Sequence, residues 1–354
     1  MSRSFAKSSG RWEFEMKAAV LHAIRTPFRI EEVPVPTLGP DDVLVETHTC
    51  GICRTDLHIQ DGLAYVPRLP HVPGHEPAGV VAAVGERVEG IRVGQRVVPH
   101  LFLTCGRCSY CRTGQDAQCS DLGGVLGVTA PGGFAAFFRS PARNLLPLPD
   151  KVSFEAGGLV SCAVITALHA FRRARVTANE VAVVLGAGGI GQILVQLLRS
   201  AGARVVVVSR SVASLDAVRQ DGAALALALN APDVIEQVRS FGDGEGAHCV
   251  FECVGVAATM KTAARMARCG GRIVVIGEEP EFPAIDTIQI AQRELEIIGS
   301  RNGSVQDAAD CLALLASGVI RPPIARRLPL EELNDALALM RRGAVSGRIV
   351  IQLK

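Results

Sequence analysis

The chain has 354 residues, enough for two domains that each bury a core of their own. Hydrophobic residues make up 48% and charged residues 20%, which excludes a disordered chain. Lys plus Arg number 37 against 35 Asp plus Glu, a net charge of +2 with no long basic run, which argues against a strong nucleic-acid or membrane-surface binder.

Residues 1–15 hold Ser, Arg, Lys and Gly but no apolar core, so they read as an extension rather than a signal peptide. The cytoplasm is the compartment this implies. A strand is predicted at Met16–His22. From 17 to 150, short apolar runs are broken by Gly and Pro. Val43–Cys50, Ala78–Val84, Gln95–Val98 and Gly133–Phe138 are predicted strands. Helix periodicity is scarce here, which predicts a β-rich domain with partial barrel character. After Ser153 the texture changes. Ser153 and Glu155 open a helical stretch, and an apolar helix follows around Cys162–Phe171.

From Val181 strands and helices alternate. Strands are predicted at Val181–Leu185, Arg204–Val208, His248–Cys253 and Arg272–Ile276. Helices are predicted at Ile190–Ala201, Val212–Gln220, Val234–Ser240 and Thr259–Ala267. That order predicts a doubly wound parallel sheet covered on both faces, hence an α/β class with two domains. Two amphipathic helices, Val305–Ala316 and Leu330–Arg342, precede a closing strand at Arg348–Leu353. The longest uncharged stretches, Leu122–Phe138 and Val181–Leu198, are interrupted by Gly and read as no membrane span.

Gly186-Ala187-Gly188-Gly189-Ile190-Gly191 fits G-x-G-x-x-G between a predicted strand and a predicted helix, the context that makes the motif specific. Gly186 permits the tight turn. Gly188 lets backbone approach a pyrophosphate at the helix N-terminus, and Gly191 lets helix and strand pack closely. A ligand-free Gly-rich turn is the alternative. At the end of the second strand, NAD sites usually place an acid for the adenine ribose. Ser209-Arg210-Ser211 stands there instead. Arg210 can pair with a 2′-phosphate and Ser209 can hydrogen-bond it, so the expected coenzyme is NADP, with NAD as the alternative. Ser211 also suits the N-cap of the next helix.

There are 11 Cys, an odd number, with no export signal, so metal ligands or free thiols are expected over a disulfide framework. Cys105-x2-Cys108-x2-Cys111-x7-Cys119 offers four thiolates in one loop. Such a set closes a tetrahedron around Zn²⁺ with no open position, as in structural sites. Further candidates are scattered in Cys50-Gly-Ile-Cys53-Arg54-Thr55-Asp56-Leu57-His58, in Gly74-His75-Glu76, and at Cys162.

Together, in this order and spacing, these elements resemble the medium-chain zinc-dependent alcohol dehydrogenases from Met16 to the C-terminus. The resemblance implies a GroES-like catalytic domain over 16–163, a Rossmann cofactor domain over 164–299, and a return to the catalytic domain over 300–354, with catalytic zinc in the cleft between the two. It implies Cys53, His75 and Cys162 as catalytic zinc ligands, and Cys105, Cys108, Cys111 and Cys119 as holders of a structural zinc. Glu76 is implied behind the metal, and Asp56 behind a ligand imidazole. Cys at 162, where polyol-type relatives often carry Glu, favours the alcohol dehydrogenase branch. Thr55 is implied as proton acceptor, passing the proton through the coenzyme ribose to His58 at the surface. Helix capping by Thr55 or Asp56, and a solvated His58, are the plainer roles.

Arg54 and Arg348 match positions that pair with the pyrophosphate. Thr166 matches one near the nicotinamide, and Ile276 ends a strand where ligands gather. The implied activity is hydride transfer between an alcohol, or its aldehyde or ketone, and NADP(H). A C=C reductase on the same scaffold and a non-enzymatic zinc or nucleotide sensor are the alternatives. Ala64 and Leu101 stand where ethanol enzymes carry bulky aromatics, which implies a wider pocket. The expected partners are a small-molecule substrate and further copies of the chain, in a homodimer or homotetramer.

Overall fold

The computed structural model describes residues 15–63, 67–281, 283–284 and 286–354. The expected extension lies outside the described residues except for Glu15, and so does Ala64. The chain divides into two compact units. One spans Met1–Cys162, Arg326–Ala344 and Ile349–Lys354, and the other Ala163–Ala325 and Val345–Arg348.

The first unit opens with an antiparallel pair, β1 (Glu15–Val20) and β2 (Arg29–Pro34). The long strand β3 (Asp42–Ile52) leads into α1 (Arg54–Asp61). Next come β4 (Glu76–Val84), β5 (Arg96–Pro99), the single turn α2 (Ser109–Arg112), β6 (Phe137–Pro141), β7 (Leu145–Pro147) and α3 (Phe154–Gly158). Successive residues of β3 face opposite sides, and both sides are apolar. Val43 and Val45 pack with Val81, Val97, Leu126 and Phe138. Leu44 packs with Met16, Val20, Val35 and Ala135 in a separate cluster. Full burial of a side chain such as Phe138 stabilises by about 1.5–3 kcal/mol. Strand Gly133–Phe138 was expected, but the observed β6 begins at Phe137. Gly132 and Gly133 are taken up in close backbone contact with Gly74, whose carbonyl accepts the Gly133 N–H at 2.7 Å.

The second unit begins with α4 (Ala163–Ala174) and continues β8 (Val181–Leu185), α5 (Gly189–Ser200), β9 (Arg204–Ser209), α6 (Val212–Gln220), β10 (Leu225–Ala228) and α7 (Val234–Phe241). It ends with β11 (Ala247–Glu252), α8 (Ala257–Met266), β12 (Ala267–Val275), α9 (Thr287–Gln292), β13 (Glu296–Gly299) and α10 (Val305–Ser317). The six strands form one parallel sheet in the order β10-β9-β8-β11-β12-β13. Val181–Leu185 is buried throughout, as a strand covered on both faces must be. The order reverses between β8 and β11, so the crevice at their carboxyl ends is the place for a ligand.

A return to the first unit was expected from 300. Instead α10 stays with the second unit, tied to α4 by His169 Nδ1 and Asp307 Oδ2 at 2.9 Å and by Arg172 to Asp310 at 2.7 Å. The return comes with β14 (Ile324–Pro329), α11 (Leu333–Arg341) and β15 (Arg348–Gln352). Their sheet has the order β14-β15-β3-β4-β5-β7, with β6 also on β3. Among the described residues, no single helix is long and apolar enough to cross a membrane.

Candidate active site

Strand β3 and helix α1 meet at Cys53. Its backbone is extended, with φ −123° and ψ 164°, and it is the N-cap of α1. Its N–H donates to Asp56 Oδ2 at 2.8 Å. Capping is therefore a role of Asp56, while Thr55 is already inside the helix. The other oxygen of Asp56 lies 3.3 Å from His75 Nδ1. His75 sits just before β4 and Glu76 opens it; both are buried. Burial opposes charging the His75 imidazole, but the Asp56 carboxylate outweighs it and raises the group well above its ordinary value of 6.5.

Cys162 follows the turn after α3 and brings its sulfur to 4.0 Å from that of Cys53. One ligand atom each of Cys53, His75, Glu76 and Cys162 lies within 4.8 Å of the others. A disulfide needs its sulfurs about 2.05 Å apart. Ligands about 2.3 Å from a tetrahedral zinc sit about 3.8 Å apart, close to what is seen. His75 Nε2 is buried without a hydrogen-bond partner, an expensive state that a metal bond relieves. Two thiols, one imidazole and a carboxylate thus fit a zinc ion.

The four-Cys loop fits a second one. Its sulfurs are 3.5 Å apart for Cys108 and Cys111, 3.9 Å for Cys108 and Cys119, and 4.0 Å for Cys105 and Cys111. Cys105 Sγ accepts the N–H of Arg107 at 3.4 Å and of Cys108 at 3.3 Å, and Cys119 Sγ that of Cys105 at 3.4 Å. Such bonds favour thiolate. Backbone N–H groups of Cys111 and Ser120 pull the Cys108 thiol down to about 5, whereas burial and the neighbouring Cys108 push Cys111 up to about 12.

His58 departs from its expected place. It is buried on α1 rather than solvated at the surface, one turn beyond Thr55. Thr55 Oγ1 lies 3.8 Å from Cys53 Sγ, beside the cluster of candidate ligands. Arg54 is exposed at the start of the same helix, and Leu101 is buried in the first unit. Gly51 went unnoticed in the sequence. A Cβ there would lie 2.1 Å from Glu76 Oε2 and 2.6 Å from Leu159 Cδ2, so glycine leaves the room in which that carboxylate joins the cluster.

In the second unit, β8 is followed by Gly186 at φ +107°, and Gly188 caps α5. A Cβ at Gly191 would sit 2.0 Å from the Gly186 carbonyl oxygen, so helix and turn need glycine to approach. At Gly188 nothing lies within 4 Å of that position, which leaves the helix N-terminus open to an anion. Ile190 follows in the first turn. Arg348 is buried and packs its Cδ 2.3 Å from where a Gly189 Cβ would stand. Ser209 ends β9 with its Oγ accepting the Ser211 N–H at 3.4 Å, and Arg210 is exposed beside it. Ser211 caps α6. Thr166 on α4 and Ile276 after β12 are both buried in this unit.

Residues 39–150 match the family described as alcohol dehydrogenase GroES-like domain, and residues 189–317 the zinc-binding dehydrogenase family. An alcohol dehydrogenase of Geobacillus stearothermophilus is 33% identical over 340 residues, covering 96% of this chain and 100% of that protein. An NAD-dependent alcohol dehydrogenase of Sulfolobus acidocaldarius is 31% identical over 351 residues, covering 96% and 100%. The solved alcohol dehydrogenase of the archaeon Aeropyrum pernix superposes with a TM-score of 0.90 at 32% identity, covering 95% and 100% of the two chains. The chain therefore belongs to the medium-chain zinc-binding alcohol dehydrogenase family, with a GroES-like unit and a Rossmann-type unit.

Proposed function

We propose that the chain interconverts primary or secondary alcohols with their aldehydes or ketones, using NADP(H) as hydride partner. The observation that supports this most is the meeting of Cys53, His75, Glu76 and Cys162 within 4.8 Å, in a chain of this family. Bound zinc supplies Lewis acidity toward the substrate oxygen, and bound coenzyme accepts or donates the hydride. Cys53, His75 and Cys162 are the proposed ligands, which leaves one coordination position for substrate. Asp56 at Nδ1 of His75 fixes the tautomer that presents Nε2. Glu76, with an oxygen within 4.8 Å of those three, would serve as a reserve carboxylate. Thr55 takes the substrate hydroxyl proton and hands it toward His58, on the same face of α1.

Gly186, Gly188, Gly189, Ile190 and Gly191 are proposed to cradle the pyrophosphate, with Arg54 and Arg348 pairing with its charge. Thr166 and Ile276 are proposed beside the nicotinamide. Arg210 and Ser209 favour a 2′-phosphate, although one relative is named NAD-dependent. Cys105, Cys108, Cys111 and Cys119 are the proposed structural zinc site. Leu101, in place of a bulky aromatic, favours medium-chain, branched or aromatic alcohols over ethanol. The proposed assembly is a homodimer or homotetramer.

A panel of ethanol, hexanol, benzyl alcohol and an activated enone, each with NADP and NAD coenzymes, tests the reading alongside metal analysis. Two zinc ions per chain and alcohol turnover with NADP are expected. Turnover of the enone alone with one zinc per chain would shift the reading to a C=C reductase. A clear preference for NADH would overturn the coenzyme assignment, and faster ethanol turnover the pocket assignment.

A further inference from the structure

Glu252 ends β11, the strand next to β8 where the sheet order reverses, and is completely buried. Among the described residues, the donors to its carboxylate are backbone amides. Oε1 accepts the N–H of Val254 at 3.0 Å and of Gly255 at 3.0 Å, and Oε2 accepts Gly255 at 2.9 Å. Its main-chain carbonyl accepts two more, Ile276 N–H at 2.9 Å and Gly277 N–H at 3.0 Å. One residue thus fastens two loops at the carboxyl end of the sheet.

Those loops are in close contact with each other and with the glycine turn. Gly255 has φ +90°, and a Cβ there would lie 2.6 Å from the carbonyl carbon of Gly277. A Cβ at Gly186 would meet Val254 Cγ2 at 3.0 Å and Cys253 Cβ at 3.5 Å. Burying a carboxylate is expensive, and a valine would fill the space as its neighbours on the sheet do. The acid offers what no apolar residue can, an acceptor-only group that takes two successive N–H groups. A glutamine whose oxygen stays at the Oε1 position still accepts both N–H groups, but it sets its NH₂ against the Gly255 N–H where Oε2 accepted at 2.9 Å, donor facing donor.

We infer that Glu252 is a positioning residue for the coenzyme: its carboxylate holds Cys253–Gly255 against Gly186 and Gly277 and so shapes the floor on which the dinucleotide rests. This inference rests on the dinucleotide reading of Gly186–Gly191. It concerns binding, so its test needs no turnover.

The test compares wild type, Glu252→Gln and Glu180→Gln as purified full-length protein. Glu180 pairs with Arg272 at 2.6 and 2.7 Å before β8, at the opposite end of the sheet, and serves as a stability control. NADPH and NADH dissociation constants are read from coenzyme fluorescence without substrate. Melting temperature and amide exchange at Val254, Gly255, Ile276 and Gly277 are read on the coenzyme-free protein. Glu252→Gln is expected to weaken coenzyme binding about tenfold and to speed exchange at those four amides, whereas Glu180→Gln lowers the melting temperature alone. KM for coenzyme should rise more than kcat falls. Equal coenzyme binding in wild type and Glu252→Gln, or an equal loss in Glu180→Gln, overturns the inference. A wild-type chain that binds neither coenzyme instead overturns the dinucleotide reading. If Glu252→Gln does not fold, Glu252→Asp takes its place, since it keeps the acid but draws its oxygens away from the Val254 and Gly255 amides, and the same outcomes decide.

Discussion

Asp56 faces His75 with one oxygen, 3.3 Å from Nδ1, and holds the Cys53 N–H with the other at 2.8 Å. One sealed carboxylate therefore orients two of the proposed catalytic zinc ligands at once. Asp56→Asn cannot serve both. If its oxygen keeps the Cys53 amide, its NH₂ faces His75 and forces the tautomer that blocks Nε2. The expected result is a 10–100-fold loss of zinc affinity at this site, on the order seen for such partners elsewhere. Dialysis against a chelator should leave one zinc per chain in the variant and two in wild type. Two zinc ions held as tightly as in wild type, with full activity, would refute the role.

The four-Cys loop makes a separable prediction. Its ligand atoms all come from 105–119, apart from the cluster of Cys53, His75 and Cys162. Cys108→Ser removes the thiol most inclined to ionise, at about 5. It should cost one zinc per chain and lower the melting temperature, because a closed metal site contributes folding energy directly. Metal analysis should find the other zinc retained, and activity at low temperature should persist in the folded fraction. Loss of both metals from a folded variant would show that the two sites are not independent.

The parallel sheet was legible because its strands are unbroken apolar runs. Val181–Leu185 appears with the bounds expected, and so does helix Val212–Gln220. Strands β10 and β14 were missed: β10, Leu-Ala-Leu-Ala, is apolar but short and without the β-branched residues that mark a strand, and β14, Ile-Ala-Arg-Arg-Leu-Pro, is broken by charge at a sheet edge. The candidate metal ligands were legible as well, since thiol and imidazole spacing is written in residue types. Burial of His58 was not, because a histidine in the last turn of a short helix carries no mark of what packs over it. Nor was the role of Glu252, whose partners are backbone amides that every residue possesses.

The proposed coenzyme choice turns on the end of β9. Ser209 is buried there, and Arg210 stands exposed next to it. Ser209→Asp places a carboxylate where a ribose 2′-hydroxyl could donate to it and a 2′-phosphate would be repelled. The NADPH to NADH ratio of kcat/KM should fall about 10–100-fold, the scale of one charge-assisted hydrogen bond gained or lost. Arg210→Ala should weaken NADPH and spare NADH. If both coenzymes change alike in either variant, the adenine end does not lie here.

Asp307 supplies a pH-dependent prediction. It is the third residue of α10 and caps that helix through the Ser304 N–H at 2.9 Å. His169 and Arg172 reach it from α4, with Asp310 and Cys311 nearby on its own helix. Burial works against ionisation, but the bonds from His169, Ser304 and Arg172 outweigh it and hold the carboxyl well below its ordinary value of 3.8. The unfolded chain therefore binds this proton more readily than the folded one. The stabilisation is fully present above pH 3.8 and is lost as pH falls from there toward the folded value. Asp307→Asn should cost about 2 kcal/mol in urea unfolding at pH 7, where the charge and its partners are intact. The gap from wild type should hold at pH 5 and narrow below pH 4, and comparing the two proteins cancels acid effects common to both. A gap of constant size down to pH 3 would mean that the ionised carboxylate is not what joins α4 to α10.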